Sequence, residues 1–378
     1  MLSEIIIQKI KAGHGISFHD FMEMTLYYPE SGYYTSPSDK IGVDGDYYTS
    51  CNLTSIFGAL IGKQIEEMWR FLNEQPFTIV EYGAGMGFLC RDILKYLENN
   101  AKLYEGLRYC IIEKSPVMQR KEQEHLTEKV SWFNSIKEIG KINGCILSNE
   151  LLDNLAVHKV VMKKELMEVF VGYDIGFYEF LRPAPDKLKN YFNELDIYLP
   201  EDFCTEINLE AIDWIADISE HLNAGYLLTI DYGHSATELY QDYRCEGTLI
   251  CYHKHTINDL PYQHIGEQDI TAHVNFSALH YWGTKNGLEY SGFTNQKNFL
   301  LALGINQHFA AMAQEGNYHQ NIHMMHHFLN EMGTKFKVLI QQKNSPAKAL
   351  SGMKFTYPYS ILTEHMDEAK TRQPGIAV

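Results

Sequence analysis

The stretch 77-FTIVEYGAGMG-87 decides the fold of this chain of 378 residues. Its first six residues have the apolar and β-branched character of a buried strand, and three glycines follow before a helical pattern begins at residue 88. Glycine at a strand-to-helix turn permits unusual backbone angles and lets a ligand approach the main chain. The stretch therefore predicts the first strand, turn and helix of an α/β domain with a parallel sheet.

Short apolar runs continue to alternate with helical patterns along the rest of the chain. The further strands that we expect lie at 108–113, 130–133, 144–149, 225–233, 288–293 and 336–342. Helical patterns between them cover 88–97, 116–126, 209–222 and 276–286. The predicted fold class is α/β, with a doubly wound, seven-stranded Rossmann-like sheet.

Two segments interrupt this rhythm and suggest a division of the chain. Residues 1–75 predict a helical and loop extension that covers the ligand site, followed by a core at 76–156 and 209–345. Residues 157–208 predict an inserted β-rich subdomain beside the site, which we interpret as a substrate-recognition element; a surface hairpin without such a role is the alternative. Residues 346–378 predict a C-terminal tail.

The composition excludes some classes of protein. A formal net charge of -16 argues against nucleic acid or an anionic membrane as the main partner, and favours a cationic one or simply solubility. The seven cysteines form no CxxC pair, which argues against a disulfide framework. The start of the chain lacks the basic and long apolar regions of a signal peptide, so we expect a cytoplasmic, bacterial protein without membrane insertion.

The glycine turn favours one nucleoside cofactor over another. The dinucleotide pattern GxGxxG is not matched, because Phe88 stands where its third glycine would fall. Glu81 precedes the turn, and Glu113 ends the next strand, where ribose hydroxyls are held in related folds. These residues favour S-adenosylmethionine over a nicotinamide cofactor; a purely structural turn is the remaining alternative.

Two polar clusters follow later strands at the same predicted edge of the sheet. In 148-SNELLDNL-155, Glu150 and Asp153 are three residues apart and could share one side of a short helical turn, although a capped helix would have the same pattern. In 231-DYGH-234, Asp231 and His234 follow strand 225–233. The histidines and acids at 253–273 match no standard zinc spacing, so no metal is predicted.

Six motifs together resemble the MidA family of S-adenosylmethionine-dependent methyltransferases, which includes a mitochondrial complex I assembly factor that methylates an arginine of a complex I subunit. The resemblance spans residues 14 to 345. The motifs are 21-FMEM through YYPESGYY-34, 45-GDYYTS-50, 81-EYGAGMG-87, 149-NELLDNL-155, 230-IDYGH-234 and 269-DITAHVNF-276. The chain departs from the family at Cys51-Asn52, at Asn154 and Ala156, and at 250–255, where arginines are common.

The resemblance implies that the sheet is of the class I S-adenosylmethionine-dependent methyltransferase type. It also implies S-adenosyl-L-methionine as cofactor and a protein substrate that presents an arginine. The cofactor-binding residues that we predict are Tyr33, Tyr34, Thr49, Ser50, Glu81, Gly83, Gly85, Gly87, Glu113, Ser148 and Asn149. The catalytic candidates are Glu150 and Asp153, which would orient and polarise the guanidinium, with Asp231 and His234 as second choices. A non-catalytic assembly chaperone and a small-molecule methyltransferase are the rival functions, with the helical segment 299–333 as another partner surface, and homo-oligomerisation is left open.

Overall fold

The computed structural model of the chain describes residues 1–37, 54–126, 129–314 and 325–363. The helices are α1 (Leu2–Gly13), α2 (Phe18–Tyr27), α3 (Ser55–Phe71), α4 (Phe88–Leu97), α5 (Ala101–Gly106), α6 (Pro116–His125), α7 (Asp186–Leu195), α8 (Leu209–His221), α9 (Ala236–Leu239), α10 (Phe276–Lys285), α11 (Gln296–Leu303) and α12 (Ile305–Gln314).

The strands fall into three sheets. They are β1 (Ile16–Ser17), β2 (Phe77–Tyr82), β3 (Leu107–Ile112), β4 (Val130–Phe133), β5 (Ile142–Asn149), β6 (His158–Met162), β7 (Leu166–Tyr173), β8 (Phe177–Pro183), β9 (Cys204–Ile207), β10 (Leu222–His234), β11 (Ile250–His253), β12 (Thr256–Asn258), β13 (Asp269–Thr271), β14 (Val274–Asn275), β15 (Glu289–Asn295) and β16 (Phe336–Lys343).

The main sheet has the strand order β15-β16-β10-β5-β2-β3-β4, and β14 pairs with the end of β10 as an eighth strand. Strands β10, β5, β2, β3 and β4 are parallel, whereas β16 runs antiparallel to both of its neighbours. The strand order reverses between β2 and β5, so the carboxyl ends of these strands open a crevice where α/β sheets bind ligands.

Helices cover both faces of this sheet. On one face α3, α4 and α11 bury aliphatic side chains such as Ile61 and Ile93 against the strands. On the other face α8 and α10 do the same with Ile215 and Leu279. This two-sided cover explains why β2 and β5 read as nearly continuous apolar runs, without the alternation of a half-exposed strand.

The second sheet joins the beginning of the chain to residues 157–208. It has the order β1-β7-β6-β9, with β8 on the other edge of β7, and Ile16 of β1 pairs with Val171 of β7. Val160, Val169 and Val171 are buried within it. Because β1 leads directly into α2, this sheet supports the N-terminal helix that lies closest to the crevice.

The observed strands agree with the predicted ones, except that the main sheet contains one more strand than predicted. All seven strands predicted for the main sheet are present, with moved ends, and the two-residue strand β14 is an addition that the sequence did not indicate. Part of the predicted tail is packed, because Leu350, Met353 and Leu362 are buried. Within the described ranges, no helix has both the length and the apolar composition that are needed to cross a bilayer.

Two glycines let the central strands approach closely at their amino ends. Gly144 of β5 has φ 153°, and a Cβ there would lie 2.0 Å from the backbone oxygen of Thr78 in β2. Gly225 of β10 has φ 143°, and its Cβ would lie 1.9 Å from the backbone oxygen of Gly144. Backbone atoms of neighbouring strands cannot move aside as a flexible side chain can.

We therefore expect Gly144→Ala to lower the free energy of unfolding by about 3 kcal/mol, because it adds both a clash and an unfavourable φ. Gly106→Ala is the matched control, since its added Cβ would meet no atom within 4 Å. Urea unfolding measures both variants. Equal stabilities of the two would contradict this account of the sheet.

Candidate active site

A cavity of about 900 Å³ lies at the carboxyl ends of β2, β3 and β5. Its walls come from the glycine turn after β2, the residues after β3 and β5, and the helices α2 and α8. The volume is in the upper range of small-molecule sites in proteins. The crevice predicted from the strand order is thus a large site built from separate parts of the chain.

The glycine turn forms one wall with an unusual backbone. Gly83, Gly85 and Gly87 have φ angles of 63°, 60° and 77°, which other residues adopt rarely. Gly83 and Gly85 line the cavity, whereas Gly87 caps α4 and faces the side chain of Leu126. The first two glycines therefore present main chain to the cavity, although a Cβ added at Gly83 would lie 2.9 Å from Cδ1 of Leu151, and the third serves the packing of the helix.

Glu81 lies at the base of this wall and is held from within the protein. It is 2% exposed, and its Oε2 accepts a hydrogen bond of 2.6 Å from the hydroxyl of Tyr109. Burial raises the pKa of Glu81 to about 7, although the Tyr109 bond works against this shift. The Tyr109 bond therefore holds the Glu81 carboxylate at the start of the glycine turn, where Glu81 also lines the cavity.

Glu113 follows β3 and lines the opposite side of the cavity. Its Oε1 accepts a 2.7 Å bond from the backbone N–H of Ser115, which orients the carboxylate. Burial raises its pKa to about 7, with the backbone N–H groups of Ser115 and Lys114 opposing the shift. A partly buried acceptor at this strand end suits a ribose hydroxyl.

Tyr27 at the end of α2 and Tyr34 in the segment after it form one side of the cavity, which we call the aromatic roof. Tyr34 lines the cavity and stacks on Tyr27, with ring centroids 5.5 Å apart. The hydroxyl of Tyr27 donates to the backbone oxygen and the Oδ1 of Asn154, at 3.1 and 2.8 Å. Tyr33, which we also predicted at the cofactor, is fully buried beside this roof and does not line the cavity. Thr49 and Ser50 lie outside the described residues.

The turn after β5 carries Asn149 and Glu150 into the cavity wall. Glu150 has φ 54°, and its backbone N–H donates to the oxygen of Ile230 at 3.0 Å. The Nδ2 of Asn149 donates to Oε1 of Glu150 at 3.2 Å, while its Oδ1 is enclosed and has no hydrogen-bond partner among the described residues. Ser148, one residue earlier, is fully buried and does not line the cavity.

Asp153 does not share a side with Glu150, which corrects the expectation of a short helical turn. The positive φ of Glu150 breaks the helical path, and residues 150–155 form bends and turns. Asp153 is 6% exposed, points inward and does not line the cavity. The pair therefore divides into one carboxylate at the cavity and one in the interior.

Asp231 fixes the backbone of the turn after β5 by accepting hydrogen bonds from it. Its Oδ2 accepts the backbone N–H groups of Leu151 and Leu152 at 3.1 and 2.8 Å, and its Oδ1 accepts that of Tyr232 at 2.9 Å. Burial raises the pKa of Asp231, and these N–H groups oppose the shift. Burial and the nearby Asp231 raise the pKa of Asp153 far more, so we assign the proton of the pair to Asp153.

His234 also lies outside the cavity wall. Its Nδ1 is 3.4 Å from Oε2 of Glu238, and its ring is 5.1 Å from that of His273. Burial lowers the pKa of His273 to about 3, so this second imidazole is neutral. Neither group is placed for contact with a ligand in the cavity. In the described ranges, no group of three His, Cys, Asp or Glu side chains could hold a metal ion.

Some of the residues that line the cavity were not predicted from the sequence. Glu23 and Tyr27 of α2 belong to motifs that we noted without assigning a role, and Ser115 caps α6. Glu210, Asp213 and Asp217 lie on one side of α8, at spacings of three and four residues. That spacing was a signal, but only the fold shows that this side of α8 faces the cavity.

Comparisons with known proteins agree on one family. The Methyltransf_28 family model, described as an S-adenosyl-L-methionine-dependent methyltransferase, matches residues 60–294. The mitochondrial protein arginine methyltransferase NDUFAF7 of Mus musculus is 26% identical over 333 residues, which is 79% of this chain and 73% of that protein. Its Drosophila melanogaster homolog is 26% identical over 332 residues, with 79% and 74% covered.

A solved structure extends the likeness to three dimensions. A protein from Burkholderia thailandensis, crystallised with S-adenosyl-homocysteine, aligns with a TM-score of 0.85 at 26% identity. The alignment covers 95% of each chain, so the likeness extends well beyond the main sheet.

The raised pKa of Glu113 leads to a pH prediction. Its carboxyl loses negative charge as the pH falls through about 7, so its capacity to accept ribose hydroxyls falls with it. We expect the affinity for S-adenosyl-homocysteine, measured by titration calorimetry, to fall about tenfold from pH 8 to pH 6. Glu113→Gln should bind weakly and show little change over this range. A pH dependence that persists in Glu113→Gln would assign the titration to Glu81 and contradict our assignment.

Proposed function

The chain belongs to the Methyltransf_28 family of S-adenosyl-L-methionine-dependent methyltransferases, and on that premise we propose that it methylates an arginine side chain of a protein substrate. The first part agrees with the resemblance to the MidA family. The second part rests on the chemistry of the turn after β5 and on the names of relatives that are 26% identical.

The residues of the cavity fit the family's cofactor. Gly83 and Gly85 present main chain to the cavity along the turn, Glu113 offers a carboxylate at the ribose position, and Tyr34 lines the same cavity. S-adenosylmethionine supplies a methyl group on a positively charged sulfur, which nucleophiles attack readily. The remaining chemistry, which is to bind, orient and deprotonate the acceptor, falls to side chains of this chain.

Arginine is a poor nucleophile because its guanidinium stays protonated in proteins. A carboxylate that accepts N–H bonds can orient the planar group and take up the proton that is released as the new N–C bond forms. Glu150 is the carboxylate that we assign to this role. Beside it, Asn149 lines the cavity and its Nδ2 donates to Oε1 of Glu150, which orients the carboxylate.

The observation that carries the proposal is the backbone of Glu150. A non-glycine residue with φ 54° costs stability, and such angles persist where the surrounding structure enforces them, often at functional sites. Here the backbone N–H groups of Leu151 and Leu152 donate to Asp231, and these two bonds enforce the positive φ of Glu150. This backbone conformation brings the Glu150 side chain to the cavity wall and separates it from Asp153.

The charge of the cavity wall supports a cationic acceptor. Among the described residues, Lys114 and Arg120 are the basic ones that line the cavity. The acidic ones are more numerous, namely Glu23, Glu30, Glu81, Glu113, Glu150, Glu210, Asp213 and Asp217. Part of this charge is balanced by ion pairs, such as Lys187 with Asp213 at 3.6 Å, but exposed pairs of this kind are weak and can exchange. A guanidinium is favoured over an anionic acceptor.

The recognition role of residues 157–208 stays a prediction. None of them lines the cavity, and the β6–β7 hairpin is part of a buried sheet, so its replacement by a short linker would damage the fold. Any contact with a protein substrate would come from the outer side of this sheet. The cytoplasmic location and homo-oligomerisation also stay predictions.

Glu150→Gln tests the role of the carboxylate. The amide keeps the size of the side chain and can still accept the bond from Asn149, but it cannot take up a proton. We expect S-adenosyl-homocysteine affinity to stay within about twofold, while methyl transfer falls by about 100-fold or more. Normal transfer by this variant would remove Glu150 from the mechanism.

Glu150→Gly separates strain from chemistry. Glycine adopts φ 54° without steric cost, so we expect the free energy of unfolding to rise by up to about 1 kcal/mol while methyl transfer is lost. Urea unfolding and a transfer assay on the same preparation measure both. A large loss of stability would contradict the claim that the backbone is strained there.

The substrate class is tested by transfer of tritiated methyl groups into a lysate from cells that lack the gene. Labelled protein that yields methylarginine on hydrolysis, with wild type and not with Glu150→Gln, is the expected result. Label only in small molecules would point to a small-molecule methyltransferase. Absence of any transfer, with normal cofactor binding, would favour the non-catalytic chaperone.

A further inference from the structure

The run 269-DITAHVNF-276 has no role in the proposed chemistry, although it is one of the motifs of the family resemblance. In the structure it forms β13 and β14 and begins α10. Ile270 and Ala272 are buried against the same cluster as Phe18, Phe21 and Met22 at the N-terminal end of the chain. The run therefore lies between the main sheet and the helix that carries the aromatic roof.

Asp269 makes the contact that links this run to the cavity. Its side chain is 3% exposed, and the Tyr34 hydroxyl donates to the carboxylate, 2.9 Å from both oxygens. Hydrogen bonds to a charged acceptor are stronger than those between neutral groups. The bond therefore fixes the position of the Tyr34 hydroxyl, and the ring of Tyr34 lines the cavity.

The other side of Tyr34 is tied to the ribose position. The hydroxyl of Ser115 donates to the backbone oxygen of Tyr34 at 3.1 Å, and the backbone N–H of Ser115 donates to Glu113. Tyr34 is thus held between Asp269 at its hydroxyl and Ser115 at its main chain. These contacts span the cavity from β13 to the end of β3.

The same run also contacts the turn that carries Glu150. The backbone N–H of Ala272 donates to the oxygen of Asp153 at 2.8 Å, and Tyr27, stacked on Tyr34, bonds to Asn154. The roof and the turn after β5 therefore share a support. A shift of β13 would move both of them relative to the glycine turn.

We infer that Asp269 is a positioning residue, which holds Tyr34 over the cofactor through its carboxylate. The motif 269–276 then acts as the support of a preformed cofactor roof. The inference rests on the family's cofactor and on these contacts, and does not depend on which group is methylated. It assigns to the motif a role that its sequence alone did not reveal.

A double-mutant cycle on S-adenosyl-homocysteine binding tests this inference. Tyr34→Phe removes the hydroxyl and keeps the ring, and Asp269→Asn keeps the shape and removes the charge. We expect each to weaken binding by about tenfold, and the double variant to be no weaker than the worse single one, because both remove the same interaction. Titration calorimetry measures affinity, and melting without ligand measures stability.

Tyr281→Phe is the matched control. It removes a tyrosine-carboxylate bond of 2.5 Å, to Glu194, at a residue that does not line the cavity, and should leave the affinity unchanged. If Asp269→Asn lowers the melting temperature but leaves the affinity unchanged, Asp269 is a structural residue only and the inference is overturned. Additive losses of affinity in the cycle would overturn it as well. If Asp269→Asn does not fold, unchanged affinity in Tyr34→Phe overturns it alone. Loss of methyl transfer with normal binding bears on the proposed function and not on this inference.

Discussion

The buried carboxylate of Asp231 is the interaction on which the candidate active site depends. It lies near the carboxyl end of β10, fully enclosed, and accepts the backbone N–H groups of the two residues that follow Glu150. Burying a carboxylate is costly unless donors surround it, so the turn must keep its N–H groups aimed inward. That requirement turns the backbone at Glu150 to a positive φ and directs its side chain to the cavity.

The proton on Asp153 belongs to the same arrangement. Two buried carboxyls side by side cannot both be charged at neutral pH, and the one with fewer N–H donors keeps the proton. Asp269 adds a third carboxylate nearby, whose charge contributes to the raised pKa of Asp153. The interior of the site is thus a set of acids that position backbone and side chains, while Glu150 at the cavity wall remains for chemistry.

Much of this could be predicted from the sequence, because strand periodicity and strand-end chemistry are local. The glycine turn, Glu113 and Glu150 all lie at the cavity as expected. The inward direction of Asp153 could not be predicted, since it follows from a bond between residues 80 apart in the chain. Nor could the part that α8 plays in the cavity wall, which depends on how helices pack against the completed sheet.

The most direct test is a crystal structure of the protein with S-adenosyl-homocysteine. Our account predicts the ligand between the glycine turn and Tyr34, its ribose on Glu113, and its sulfur facing Asn149 and Glu150. The backbone of Glu150 should retain its positive φ, with the bonds to Asp231 unchanged. A ligand elsewhere, or a turn that has relaxed and withdrawn Glu150 from the cavity, would contradict the account.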